Sequence, residues 1–128
     1  MTKYHVSGIV LFQSDMNILF ICTANRDRSR TAEIHFQNKY PEHRFRSAGI
    51  NKYLSERHGG VHVKKYMLDV ADSIICAEHV HADWIVQNID KSYLSKIEIL
   101  ELGDTEQFMS KTLIEMLEIK MEGRFAPF

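Results

Sequence analysis

Cys22 and Arg28 stand six positions apart, with Ser29 directly after, in the segment Cys22-Thr23-Ala24-Asn25-Arg26-Asp27-Arg28-Ser29. A thiol, a guanidinium and a hydroxyl at this spacing are the parts of a nucleophile that works on an anionic centre. Asn17–Cys22 (NILFIC) reads as a buried strand, and Ser29–Lys39 as a helix ended by Pro41. A loop between a strand and a helix N-terminus can turn its main-chain amides inward and form an anion-binding nest. The helix adds unpaired donors and the positive end of its dipole. Such surroundings favour the thiolate of a cysteine over its thiol. Arg28 reaches back over the same anion with a planar two-pronged fork, and Ser29 can hydrogen-bond the sulfur when it leaves. Thr23, Ala24, Asn25, Arg26, Asp27 and Ser29 are therefore expected to cradle phosphate, sulfate or vanadate above Cys22. A C-x5-R pair also arises by chance, and a cysteine ending a buried strand is often a small core residue. Ser29 and the strand–loop–helix setting strengthen the chemical reading.

A sheet must hold such a loop in place. Beyond the first strand and helix, Arg44–Ser47 reads as a second strand followed by a turn at Ala48-Gly49. Asn51–Gly60 is polar, breaks at Gly59-Gly60 and reads as a loop. Val61–Val70 reads as a helix, Ser73–Ala77 as a third buried strand, and His79–Asn88 as a helix. Lys96–Leu102 alternates as a fourth strand, and Ser110–Met121 has helical apolar spacing. This alternation predicts a three-layer α/β domain, a four-stranded parallel sheet with helices on both faces. Ligands of such sheets bind beyond the carboxyl ends of the strands. Cys22–Ser29, Ser47–Ile50, Glu78–His79 and Gly103–Thr105 then share one rim. Residues 1–15 precede the pattern and read as an N-terminal extension peripheral to the chemistry, with Gly8–Phe12 able to pair at a sheet edge. Residues 16–128 read as one domain.

The bulk properties narrow the function classes. A chain of 128 residues with 45% hydrophobic and 26% charged residues fits one globular domain. A net charge of -1 supplies no general basic field for nucleic acid or an anionic membrane, so anion binding must be local. Cys22 and Cys76 are too few for a secreted disulfide scaffold. No apolar run approaches the ~20 residues of a membrane span, and a signal peptide's basic start is lacking. These features point to the reducing cytoplasm. Of the seven histidines only His79 and His81 lie close, and two residues apart on a helix they point in different directions. No metal site and no cofactor is expected. Cys76, on a predicted buried strand, reads as a core residue.

The segment ILFICTANRDRSRTAE resembles the active-site segment of the low-molecular-weight protein tyrosine phosphatases, whose motif is C-x5-R-S/T. It looks closest to the short bacterial branch, in which a TAE sequence follows the loop, as Thr31-Ala32-Glu33 does here. Ser47-Ala48-Gly49 is similar to the family's SAG turn. Ala71-Asp72-Ser73-Ile74 with Glu78 is similar to its third-strand pattern, and Leu100–Leu117 to its closing segment. The resemblance runs from about Met16 to Met121, in order. It implies that Cys22 attacks phosphorus to form a phosphocysteine, which water hydrolyses. The substrate would be a phosphorylated protein, phosphotyrosine above all, or a small phosphomonoester. It further implies that Asp104 is the general acid, with Glu101 and Glu106 as weaker candidates. Asn25 would support a strained loop, and Ser47 would belong to the same supporting network. Three positions depart from the pattern. Asp27 stands where many members carry a second, protective cysteine. Gly103 replaces the proline before the acid. The aromatic pair near the acid is thinned to Phe108, with Tyr53 as the other candidate wall.

Two rival readings use the same loop. An arsenate reductase would relay electrons through two further cysteines, and this chain offers only Cys76. A non-catalytic oxyanion-binding module would keep the fold without turnover, against which stands the joint presence of Cys22, Arg28, Ser29 and Asp104.

Overall fold

The structure, a computed structural model, describes residues 4–6, 9–11 and 15–125. Two short strands, β1 (Tyr4–Val6) and β2 (Ile9–Leu11), pair antiparallel in a sheet of their own. Ile9–Leu11 thus finds its partner within the N-terminal segment and not at the edge of the main sheet. Gly8 and Phe12 lie outside the described residues. The main sheet begins with β3 (Asn17–Cys22), followed by α1 (Arg28–Lys39), β4 (Arg44–Gly49), α2 (Lys52–Arg57) and α3 (Lys65–Val70). Then come β5 (Ser73–Cys76), α4 (His79–Asn88), β6 (Ile97–Ile99) and α5 (Lys111–Lys120). The four strands lie in the order β4-β3-β5-β6, and every pair is parallel.

Alternation along β3 sends its side chains into two separate cores. Ile18, Phe20 and Cys22 face Ala32 and Phe36 of α1 and Leu113 and Leu117 of α5. Leu19 and Ile21 face Leu68 of α3 and Ala82 and Ile85 of α4. All of these are buried, which is why β3 carries almost no polar residue. The layered domain expected from the alternation of elements is therefore present, with β3 central and Cys22 at its carboxyl end.

At the opposite end of the sheet, buried His43 joins two distant parts of the chain. The Met16 amide donates to its Nδ1 at 3.2 Å, and its Nε2 lies 3.3 Å from the Phe125 carbonyl oxygen. Phe125 packs edge-on against Phe45 and Phe36, with ring centroids 5.0 and 5.3 Å apart.

Four stretches depart from the sequence reading. The polar segment Asn51–Gly60 holds a helix, α2, because the Asn51 side chain caps it by accepting from the Leu54 amide at 2.9 Å. Ala48 and Gly49 continue β4, paired with Ile21 and Cys22, and do not turn. Val61–Lys64 is extended, because Gly49 donates to the Val61 carbonyl and accepts from the Val63 amide, at 2.8 and 2.9 Å. That sheet-like exchange delays the helix to Lys65. The fourth strand shrinks to Ile97–Ile99, since Lys91–Lys96 coils into a 3-10 turn. Among the described residues, no helix is long and apolar enough to cross a membrane.

Candidate active site

The parallel sheet brings the turns after β3, β4 and β5 and the segment after β6 to one rim. Cys22 ends β3, buried, and its Sγ lies 2.9 Å from Ser29 Oγ in the first turn of α1. Between them the main chain loops outward. Among the described residues, none of the amides from Thr23 to Asp27 donates to a protein acceptor. Asp27 sits at the N-cap of α1, yet its side chain does not cap the helix. Its carboxylate accepts instead from the Phe108 amide at 2.9 Å. The free amides of the first helical turn and those of the loop therefore remain available to an anion.

Asn25 fixes the loop from behind. It is buried with φ of 49°, the left-handed region that asparagine tolerates better than most residues. Its Oδ1 accepts from the Val61 amide at 2.9 Å, which orients the side-chain amide. Its Nδ2 then donates to Ser29 Oγ at 2.8 Å and to Ser47 Oγ at 2.9 Å. Ser47 in turn donates its hydroxyl hydrogen bond to Glu33 Oε1. Ser29 Oγ already accepts from Asn25, so its proton is free to point at Cys22 Sγ. Gly60 packs against this hub so closely that a Cβ there would lie 2.7 Å from both oxygens of Asn25. A side chain at Gly49 would strike the Thr23 carbonyl oxygen at 2.6 Å.

Arg28 is buried, with 4% of its side chain exposed, beside the same loop. Nη1 donates to Glu78 Oε2 and to the Gly103 carbonyl oxygen, and Nη2 lies 3.5 Å from Asp104 Oδ1. Asp104 is itself 74% exposed at the mouth of the cradle. The other acidic candidates lie elsewhere. Glu101 pairs with His79 at 3.6 Å, and Glu106 accepts from Thr105 Oγ1 at 3.3 Å and Ser110 Oγ at 3.5 Å. Gly103 has φ of +76°, a conformation closed to proline. The chain thus enters the Asp104 segment by a path that a proline at position 103 would forbid. Its far end is tethered by Asp27 to Phe108 and by Thr31 Oγ1 to the Met109 amide at 2.8 Å.

Two supporting residues escaped the sequence reading. His81 is fully buried on α4. Its Nδ1 accepts from the Glu78 amide at 3.0 Å, which leaves Nε2 to donate to Thr23 Oγ1 at 3.0 Å. Burial pushes its pKa down to about 4, and the positive Arg28 adds to the effect while Glu78 and Asp104 oppose it. Glu33 was visible only as part of a TAE sequence. For His81 the signal was its place three residues after Glu78, where a helix-start side chain folds back to the preceding amide. Arg26 is exposed, 3.9 Å from Asp27. Tyr53 is exposed and its hydroxyl accepts from Arg57 at 2.8 Å. Cys76 lies buried in β5, a free thiol whose pKa burial pushes up to about 12.

No family model matches the sequence, and no curated protein does. Solved structures do. The tyrosine phosphatase Wzb from Escherichia coli K30, in complex with phosphate, is similar at a TM-score of 0.66 and 20% identity, over 81% of this chain and 91% of that one. The YwlE arginine phosphatase from Geobacillus stearothermophilus is similar at 0.57 and 23%, over 82% of each chain. A low-molecular-weight protein tyrosine phosphatase from T. tengcongensis is similar at 0.60 and 20%, over 83% and 92%. Strand order, loop position and these likenesses agree, and the chain has the fold of the low-molecular-weight protein tyrosine phosphatases.

Proposed function

We propose that this protein is a cysteine-dependent phosphatase of phosphomonoesters, with phosphotyrosine in proteins as its preferred substrate. The observation that carries this reading is the Cys22 sulfur beneath a run of unengaged amides, with the Ser29 hydroxyl on one side and Arg28 on the other. Loop amides and the Arg28 fork hold the three equatorial oxygens of the phosphoryl group. The Cys22 thiolate attacks phosphorus, and the bond from phosphorus to the ester oxygen breaks. That oxygen takes a proton from Asp104. Water then attacks the phosphocysteine, giving its proton to the Asp104 carboxylate. The sulfur leaves as a thiolate stabilised by the Ser29 hydroxyl, and inorganic phosphate is released. Thr23, Ala24, Asn25, Arg26, Asp27 and Ser29 form the cradle in this reading, and Ser47 supports it.

Two observations favour this chemistry over its rivals. Reduction of arsenate needs thiols to relay electrons, and Cys76 is buried and held as a neutral thiol. A phosphoarginine leaves as a guanidinium, which Arg26 and Arg30 at the mouth would repel. An aryl leaving group meets no such penalty and has Phe108 to lie against. A free thiol nucleophile fits the reducing cytoplasm.

The test is hydrolysis of an aryl phosphate and of free phosphotyrosine by the purified chain and by Cys22→Ser, with vanadate as inhibitor. Serine fills the same space but is a far weaker nucleophile, so turnover should vanish while vanadate still binds. Near wild-type activity in Cys22→Ser, or no inhibition by vanadate at millimolar levels, would sink the reading.

A further inference from the structure

We infer that a basic groove running from the mouth of the cradle over α1 to the outer face of β4 binds an acidic stretch of the substrate polypeptide, on one side of the phosphorylated residue. The inference rests on the phosphatase reading and narrows it to a substrate class.

Two hollows make up the track. The first, about 670 Å³, lies between the phosphate loop and the segment after Asp104, with Arg26 and Phe108 in its walls. The second, about 420 Å³, lies between α1, β4 and α3, with Arg46 and Tyr66 in its walls. Arg30 and Ile34 line both, so the hollows adjoin across one turn of α1. Arg46 and Tyr66 also line a third, smaller hollow that adds Arg44 and Val70. Arg44 and Arg46 alternate on β4 and so share one face, about 7 Å apart.

Positive charge is in excess along this track, with Arg26, Arg30, Arg44 and Arg46 set against Asp27 and Glu33. Among the described residues, Arg30, Arg44 and Arg46 have no carboxylate within 4.0 Å. The two acids in its walls are engaged, Asp27 by the Phe108 amide and Glu33 by the Ser47 hydroxyl. An excess of arginines over carboxylates, in a chain whose net charge is only -1, is a local field that attracts anions. Tyr66 and Val70 stand beside them 59% and 57% exposed. They add apolar contact area beside the arginines. An extended peptide advances about 3.3–3.6 Å per residue, so acidic side chains at alternate positions match the spacing of Arg44 and Arg46. The cradle itself selects the phosphoryl group, and the groove selects what flanks it.

The experiment uses fluorescent phosphotyrosyl peptides with acidic, neutral and basic flanks, placed on either side of the phosphorylated residue. Binding to the full chain carrying Cys22→Ser is followed by anisotropy, and turnover by the wild-type chain is measured in parallel. The acidic peptide should bind about tenfold tighter than the neutral one, the preference should shrink at high salt, and one flank should matter more than the other. Arg30→Gln, Arg44→Gln and Arg46→Gln should each cost about two- to fivefold on the acidic peptide, and nothing on a small aryl phosphate. Equal binding of the acidic and neutral peptides, or preference unchanged by the three substitutions, would overturn the inference. So would a single-stranded oligonucleotide that displaces the acidic peptide at physiological salt, since the groove would then be a nucleic-acid track. Failure of the phosphatase reading shows differently, as absent turnover of the aryl phosphate while flank-dependent peptide binding persists.

Discussion

Asn25 commits both side-chain amide hydrogens, one to Ser29 and one to Ser47, and this decides where the Ser29 proton goes. The Ser29 hydrogen is left for another partner, and the sulfur 2.9 Å away takes it once ionised, because a thiolate can only accept. The hydroxyl therefore stabilises Cys22 most when the sulfur carries full negative charge, which is also when it departs from phosphorus. In the proposed mechanism Asp104 works on the other leaving group. Its benefit depends on how badly the departing oxygen needs a proton, so Asp104→Asn should slow an alkyl or tyrosine-like ester by roughly 10²-fold or more. An activated nitrophenyl ester, which leaves readily as an anion, should suffer less. The alkaline fall in kcat/KM for the poor leaving group, where a general acid loses its proton, should flatten in the same variant. Glu106→Gln is the control, because Glu106 is turned to Thr105 and Ser110. Small, equal effects from Asp104→Asn together with a selective loss from Glu106→Gln would transfer the acid role to Glu106.

At the scale of elements, the cradle is held by contacts between helix starts and strand ends. Helix α4 contributes through His81, which carries the Glu78 amide on one ring nitrogen and Thr23 on the other. That arrangement requires a neutral ring and gives stability a pH dependence. The ring takes a proton near 6.5 when unfolded but only near 4 when buried. Stability is therefore complete above about pH 6.5 and declines as pH falls toward 4, because the unfolded chain binds the proton first. The gap amounts to on the order of 3 kcal/mol. Urea unfolding at pH 7 and near pH 4 should show a steeper loss in the wild type than in His81→Gln, and equal slopes would refute the role given to the ring. The sequence made the loop Cys22–Ser29 readable because its chemistry is local: a buried strand, a nucleophile and a helix start follow one another. For His81 only the local link to Glu78 was legible; its bond to Thr23 was not, since Thr23 lies 58 residues away and only the sheet brings them together. Helix α2 was missed for a related reason. It buries only Ser55, so it has no apolar stripe, and its start depends on the Asn51 cap. The extended Val61–Lys64 was missed because Gly49, a distant residue, competes for its main chain.

Across the whole molecule, the parallel sheet divides labour between its two ends. The carboxyl ends of the strands carry the proposed cradle, Glu78 and the approach to Asp104, while the amino ends carry the His43 clasp and, with Arg44, one end of the proposed groove. The resting pair of Arg28 with Glu78 joins the cradle to β5, while the tether from Asp27 to Phe108 joins it to the segment leading into α5. At the far end His43 receives the Met16 amide on one ring nitrogen and faces the Phe125 carbonyl with the other. Met16 and Phe125 are thus brought side by side, at the end of the sheet away from the candidate site. Chain connectivity there is arbitrary in an engineering sense. A circular permutant that joins residue 125 to residue 16 by a short glycine-rich bridge, and opens instead in the exposed turn at Lys91-Ser92, should fold and keep the aryl phosphatase activity of residues 16–125 in their natural order. Activity lost from a permutant that still unfolds cooperatively would mean that strain at the His43 clasp reaches the cradle through β3, the strand that starts beside Met16 and ends at Cys22.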